Sequence, residues 1–397
     1  MTKSRLLVLT PRFPYPVVGV DRLRIYQLCK ALTLQFDLTL LSFCDSKEEL
    51  AYVPNDGLFV EIHRVYLPKW QSCLNAFLAL PSRLPLQLAY YRSTKFQRKV
   101  DELLLTHDIA LAHLIRTGQY LEDHKEKPCI LEMTDAISLN YERMRGENIA
   151  FSLKKLIYSI EYKKLYGYER SVIYKFPRTW LVSDVDRVAL DPDHTSSIMV
   201  IPNGTDTTNL AFHYPVDGGD TIAFIGNMLS AQNQDACLYF IQSILPLIQR
   251  KRHLKFRIIG NIANNVQKKL LMYPDVQTTG RLTNIVDGID ENVFCGVCPV
   301  QAGAGVQNKI LEYFALGLPC VASLVGAEGI DAESGKDFLV YRDAEEAAQQ
   351  ILALYSNRDL RMSLATSARS LVEKKLAWQF LYQQINKSAE EILTRSQ

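Results

Sequence analysis

The chain has almost no charge of one sign to spare: 45 Lys and Arg against 43 Asp and Glu leave a formal net charge of +2 over 397 residues. A dedicated nucleic-acid binder carries a clear basic excess, so that class is disfavoured and no nucleic-acid partner is expected. Nowhere is there a run of the ~18 apolar residues that a membrane span requires. The nearest stretch, CLNAFLALPSRLPLQLAYY from Cys73, is broken by Pro81, Arg83 and Pro85, so it is fit to lie on a membrane but not to cross one. The opening MTKSRLLVLTPRFPYP offers only LLVL before Pro11, too short for a secretory segment, and a cytoplasmic location is expected. Metal-ligand spacing is also missing. Cys295 and Cys298 form one CxxC pair with no second pair or spaced histidines, and residues three apart in a strand point to opposite faces. The pair therefore reads as structural, and with no DxD-like carboxylate pair on a suitable loop no metal or other cofactor is expected. The eight cysteines lie mostly in apolar stretches, which suits reduced, buried thiols better than a disulfide framework. No short internal repeat and no low-complexity tract is found.

What is present is a globular composition, 48% hydrophobic and 22% charged, long enough for two domains. Short apolar runs alternate with helical patterns from end to end. The runs at 5–10, 37–43, 58–65, 109–113, 129–133, 179–183 and 198–201 read as strands, with a helix over 23–34. The rhythm restarts with strands expected at 221–225, 255–259, 276–278, 293–300, 319–323 and 338–341. Helices are expected over 234–249, 305–316, 344–355 and 359–374. Strands separated by helices indicate βαβ units, hence parallel sheets covered on both faces. The expected division is an N-terminal α/β domain over 1–200, a turn-rich linker over 201–220, a C-terminal α/β domain over 221–376 and a final helical segment over 377–397. Two doubly wound domains of this kind place a ligand cleft at the carboxyl ends of their strands.

The most informative stretch is QAGAGVQNKILEYFALGLPCVASLVGAEGI, residues 301–330. Small residues after a buried strand let a loop approach a ligand closely. The helix that follows begins near Val306, Gln307 and Asn308, and its free N–H groups and positive dipole end suit a diphosphate. Lys309 adds a point charge, and Glu312, three residues on, can accept two hydrogen bonds from a ribose diol. An ordinary βαβ crossover with a small-residue turn fits the periodicity equally well.

This segment resembles the donor-binding signature of the GT-B glycosyltransferases, and within them of glycosyltransferase family 4, through Gly303, Gly305, Lys309, Glu312, Ala315, Gly317 and Pro319. Other stretches resemble the family in order: the first strand, loop and helix at RLLVLTPRFPYPVVGVDRLRIYQLCKAL, the interdomain VIPNGTD, the strand and helix at IAFIGNMLSAQNQDACLYFIQSILPLI, the TTGRL loop, and a last helix from Trp378. The resemblance implies two Rossmann-like domains facing each other across a cleft and a nucleoside-diphosphate-sugar donor. Gly19, Gly226, Arg281, Gly303, Gly305, Val306, Gln307 and Asn308 would line the donor. It also implies a retaining transfer without metal, in which Lys309, Arg281 and the helix N-terminus stabilise the leaving diphosphate. Departures are visible. The first of the family's two glutamates falls at Ala304, its Arg and Lys of the first C-domain loop fall near Asn227 and Asn233, and its N-terminal Gly-Gly pair reads Gly19–Val20. They are similar to a polysaccharide-biosynthesis subgroup, which implies a saccharide or lipid-linked acceptor.

In the N-terminal half, Asp135 follows an expected strand and reads either as an acceptor-activating group or as a helix N-cap. Arg116 is a second candidate at a strand's carboxyl end. Arg22 and Arg24 open the first helix and read as phosphate contacts or as a solvated face, while His113 reads as packed. The Lys- and Tyr-rich segment 151–176 reads as a solvated helix face or as a peripheral contact with anionic headgroups, with Glu161 and Glu169 diluting its charge. Two rivals to a transferase remain: a nucleotide-sugar 2-epimerase and a non-catalytic GT-B partner protein.

Overall fold

The computed structural model describes residues 3–17, 20–146, 153–213, 219–302 and 305–395. It divides into two compact units, Met1–Pro202 with Leu381–Gln397, and Asn203–Phe380.

The first unit is built on β1 (Ser4–Thr10), β2 (Phe36–Cys44), β3 (Glu61–Tyr66), β4 (Ile109–His113), β5 (Cys129–Thr134), β6 (Arg178–Leu181) and β7 (Ile198–Val200), in the order β3-β2-β1-β4-β5-β6-β7. Every strand pair is parallel. Among the helices of this unit are α1 (Val20–Leu32), α2 (Lys69–Leu78), α3 (Ile137–Gly146) and α4 (Leu153–Val172). The second unit repeats the plan with β8 (Thr221–Ile225), β9 (Lys255–Ile259), β10 (Val276–Thr278), β11 (Val293–Cys298), β12 (Cys320–Ser323) and β13 (Leu339–Tyr341), in the order β10-β9-β8-β11-β12-β13. Its helices include α5 (Ala231–Tyr239), α6 (Asn308–Leu316) and α7 (Arg358–Leu371). The last helix, α8 (Trp378–Arg395), contributes Ser388 and Glu391 to the first unit, where they bond Trp180 Nε1 at 3.0 Å and Arg178 at 3.0 Å. Each sheet reverses its winding once, between β1 and β4 and between β8 and β11. Such switch points leave a crevice at the strands' carboxyl ends.

Most of the expected strands form within a residue or two. The third starts at Glu61 rather than 58, because Asp56 Oδ1 accepts the Leu58 N–H at 3.1 Å and turns the chain before it can pair. The helix expected over 234–249 begins at Ala231 and passes through a π turn over Phe240–Ile244, just ahead of Pro246, which has no N–H to give the preceding turn. Part of the stretch read as a linker packs on the second unit. Asn203 and Leu210 are buried, and the Arg369 guanidinium of α7 donates to the carbonyls of Leu210 and Thr207.

One polar cluster organises the first unit's core. Glu132 on β5 is fully buried and takes Arg24 Nε at 2.7 Å, His113 Nδ1 at 2.5 Å and the Thr134 hydroxyl at 3.0 Å. Arg24 is neither a phosphate contact nor part of a solvated face, as its position on α1 suggested. It is 2% exposed, and its guanidinium also donates to the Ile201 carbonyl at 3.0 Å. Burial opposes the charge on Glu132, but Arg24 and His113 outweigh it and hold the carboxyl down at about 2. Because its folded pKa lies below the ordinary value, this stabilisation is full above the ordinary carboxylate range and is lost as the pH falls toward 2. Glu132→Gln leaves Arg24 buried without its counter-charge. It should cost about 3–5 kcal/mol at neutral pH, read from urea melts, with the gap to wild type closing in acid.

Candidate active site

In the second unit, the loops after β8 and β11 meet at the switch point, where Gln232 Nε2 donates to the Ala302 carbonyl at 2.9 Å. Gly303 and Ala304 lie outside the described residues, as does Gly19 of the first unit. Gly305 adopts φ +90°, a left-handed value that a side chain resists, and the chain enters α6 through Val306 and Gln307. The helix starts later than the expected 305, leaving a longer ligand-facing loop. No side chain among the described residues caps α6; the Gln307 carbonyl takes the Ile310 N–H at 2.9 Å, and no described residue bonds those of Asn308 and Lys309. Asn308 is fixed by Asn203, whose amide donates to its Oδ1 at 2.9 Å.

Lys309 and Glu312 stand on this first turn and a half. The Lys309 ammonium is largely buried, donates to Gln307 Oε1 at 2.8 Å, and sits 5.3 Å above the Phe224 ring of β8. Gly226 is required beside it, since a Cβ there would stand 2.7 Å from that ring. The Glu312 carboxylate is partly exposed, and no hydrogen bond joins it to any described residue. Burial pushes it up to about 7, with the Lys309 charge pulling the other way. An acceptor without a donor, beside a held cation and an uncapped helix, can receive a diol and a diphosphate side by side.

Two features of this site, Tyr313 and Gly260, were not singled out in the sequence. Tyr313 is buried, accepts the Ile225 N–H at 2.8 Å and donates to the Val297 carbonyl at 3.1 Å, tying α6 to β8 and β11. Gly260 has φ +142°, and a Cβ on it would lie 2.2 Å from the Gly226 carbonyl, so only glycine lets the loops after β8 and β9 touch. A glycine directly after the apolar run FRII was the available signal. Asn227 and Asn233, standing where basic residues were expected, tie the loop to itself. The Asn227 side chain accepts the Leu229 N–H at 3.1 Å, and its carbonyl accepts from Asn233 at 2.9 Å. Arg281 lies exposed in the loop after β10, two strands from β8.

In the first unit, Asp135 follows Thr134, a β-branched residue held at φ +66°. Such an outlier costs of the order of 1–3 kcal/mol and marks functional segments more often than others. The N-cap reading of Asp135 fails, because other carboxylates take those N–H groups: Asp186 that of Ala136 at 2.9 Å, and Glu169 those of Ile137 and Ser138 at 2.9 and 3.1 Å. Among the described side chains, the Asn140 amide donates to the Asp135 carboxylate at 3.3 Å. Burial, with the Asp186 charge behind it, pushes Asp135 up to about 6. Arg116 lines a cavity of about 450 Å³ with Arg12, Phe43, Tyr90, Tyr91 and Tyr141. It donates to Gln87 Oε1 at 2.8 Å and lies 5.6 Å over the Tyr91 ring. Arg22 is committed to Glu49, at 2.8 Å. On α4, Glu161 is buried and accepts the Leu86 N–H at 2.6 Å, and Glu169 is equally buried, so neither dilutes the surface charge as the sequence suggested.

Residues 219–357 match the family described as glycosyl transferases group 1. The second unit carries a group 1 glycosyltransferase domain. The chain as a whole has the GT-B fold. It superposes on a sucrose-phosphate synthase from Thermosynechococcus elongatus with a TM-score of 0.72, at 11% identity over 98% of this chain and 100% of that one. Anabaena HepE in complex with UDP matches with a TM-score of 0.69, at 14% identity and the same coverages of 98% and 100%. An uncharacterized 44.6 kDa protein in the cps region of Klebsiella pneumoniae is 21% identical over 94% of this chain and 96% of its own length. No helix among the described residues of this chain is long and apolar enough to cross a membrane, and no described group of three His, Cys, Asp or Glu is placed to hold a metal. Cys295 and Cys298 are buried thiols.

The pH behaviour of Glu312 follows from its environment. Its folded pKa is raised, so the carboxylate that accepts hydroxyl donors forms only as the pH climbs through about 7. Affinity for a nucleoside diphosphate, measured by calorimetry, should therefore rise from pH 6 to 8 more steeply in wild type than in Glu312→Gln. Parallel profiles would remove Glu312 from the ligand.

Proposed function

We propose that this glycosyltransferase moves a sugar from a nucleoside-diphosphate sugar to a saccharide or lipid-linked acceptor, with retention of anomeric configuration, in bacterial surface polysaccharide assembly on the cytoplasmic side of the membrane. The observation that carries the reading is the start of α6. An uncapped helix N-terminus, a held ammonium at Lys309 and an unbonded carboxylate at Glu312 stand within five residues of each other, at a switch point. The HepE complexes with UDP and with UDP-glucose support a uridine nucleotide as the first donor to try, and the relative from a cps region fits the polysaccharide setting.

In the proposed reaction the acceptor oxygen bonds to the anomeric carbon, and the bond from that carbon to the diphosphate oxygen breaks with its electron pair staying on the phosphate. Negative charge grows on the diphosphate as this happens. The α6 N–H groups and Lys309 favour it, and they need no rearrangement to do so. Glu312 holds the ribose hydroxyls. Gly226, Gly305, Val306, Gln307 and Asn308 shape the loop that admits the donor. Asp135 is assigned to the acceptor, as the group that takes or orients its hydroxyl proton, with a carboxyl that titrates close to neutrality. Arg116 is assigned to the acceptor side. The chemistry asks for no metal ion and no further cofactor.

Donor consumption and acceptor glycosylation, followed together with UDP-sugars and a bacterial lipid extract, test the proposal. Lys309→Ala should lower kcat roughly 10²–10³-fold, the usual effect of removing one charge-stabilising group. Asp135→Asn should lower kcat and abolish its rise through pH 6 while leaving nucleotide affinity unchanged. Donor isomerised without acceptor would mean an epimerase. Nucleotide binding with no turnover under any acceptor would mean a non-catalytic partner.

A further inference from the structure

Helix α2 (Lys69–Leu78) lies on the surface of the first unit with only Ser72 of its ten residues fully buried. It turns its large apolar side chains outward. Trp70 is 69% exposed, Leu74 48%, Phe77 67% and Leu78 65%, at the i, i+4, i+7, i+8 spacing of one helix face, and Leu80 follows in the next turn at 47%. A soluble surface does not keep five such side chains contiguous without a use for them.

The charge around this face is mainly basic, although Glu122 and Asp123 line the depression beside Asn75, Leu78 and Ser82. From residue 62 to residue 100 the chain has seven Lys and Arg and no Asp or Glu. Lys69 opens the helix, Arg83 follows it, the Arg92 carbonyl holds Asn75 of α2 at 2.9 Å, and Lys164 of α4 donates to the Leu80 carbonyl at 3.0 Å. Asp45 stands 3.8 Å from the Lys69 ammonium, and Glu161 of α4 is turned inward. An amphipathic helix with Trp and Phe outward and a cationic surround matches the interface of an anionic bilayer, where rings enter the headgroup boundary and cations meet phosphate.

We propose that α2 and the turn after it dock this protein on an anionic membrane surface. The opposite side of the same helix supplies Lys69, Ser72 and Ala76 to the cavity that Arg116 lines. A docked α2 therefore holds that cavity behind the helix, about one helix diameter (~10 Å) from the headgroup layer, within reach of the saccharide of a lipid-linked acceptor. This deepens the acceptor reading above but stands on a different observation, and its test uses neither donor nor acceptor.

The probe is a vesicle of equimolar phosphatidylglycerol and phosphatidylcholine, with pure phosphatidylcholine alongside. Trp70 is the exposed tryptophan, since Trp180 and Trp378 are buried, and Cys73 is the exposed cysteine among eight. Wild type should sediment with the anionic vesicles, blue-shift a polarity-sensitive dye on Cys73, and lose at least tenfold in partitioning on pure phosphatidylcholine or at high salt. The surface variant Trp70→Ser with Phe77→Ser should melt like wild type and bind at least tenfold more weakly, and Lys69→Glu with Arg83→Glu should fall similarly. Wild type that ignores anionic vesicles, or binds them as tightly as the serine variant does, overturns the proposal. A concentration-dependent dimer abolished by the serine variant, with no vesicle binding, would assign the face to a second copy instead.

Discussion

A single buried phenol holds the second unit's switch point together. Tyr313 lies one residue beyond Glu312 on α6, and its hydroxyl serves β8 and β11 at once, taking the Ile225 N–H and reaching the Val297 carbonyl. Adjacent parallel strands whose crossovers leave to opposite faces have no chain to bridge their carboxyl ends. The Tyr313 hydroxyl fixes the helix against that gap, and Gly296 makes room, since a Cβ there would lie 2.6 Å from the ring. The orientation of α6, and with it the aim of its first N–H groups, follows from this anchor. A buried donor left unsatisfied costs about 1–3 kcal/mol, so the anchor is held by more than packing.

The same turn sets the electrostatics. Lys309 is kept from solvent by Phe224 and steadied by Gln307, so its charge is placed before any ligand arrives. Glu312, three residues on, points where no described residue meets it, and burial keeps it close to half-protonated at neutral pH. A cation already in position and an anion still lacking its donors form a pair of complementary demands. A nucleoside diphosphate meets both. With Asn227 and Asn233 spent on the shape of their own loop, the diphosphate would depend more on the helix terminus and Lys309 than on any cluster of basic side chains.

Much of this was legible in the chain. The alternation of apolar runs with helical spacing placed nearly all the strands, because parallel strands buried on both faces need continuous apolar runs. Gly305, Lys309 and Glu312 stood out through the resemblance of their segment to a donor-binding signature, since their order alone fitted an ordinary βαβ crossover equally well. Long-range pairing was not readable. Arg24 sits on α1 at a position open to phosphate, yet its partner Glu132 lies 108 residues away and buries it. Asp135 looked equally like a cap, and only Asp186 and Glu169, from distant helices, take that role from it. Glu161 and Glu169 read as surface charge for the same reason. The outward face of α2 was visible as an apolar stretch broken by proline, but its exposure is a property of the fold.

Amide hydrogen exchange of the protein with saturating UDP, or whichever nucleoside diphosphate binds best, addresses the central claim directly. The account predicts protection concentrated in residues 224–233 and 299–312, where the loops after β8 and β11 meet the start of α6, and its loss in Lys309→Ala. Tight binding with those segments unprotected, or with protection confined to the first unit's cavity, would contradict it.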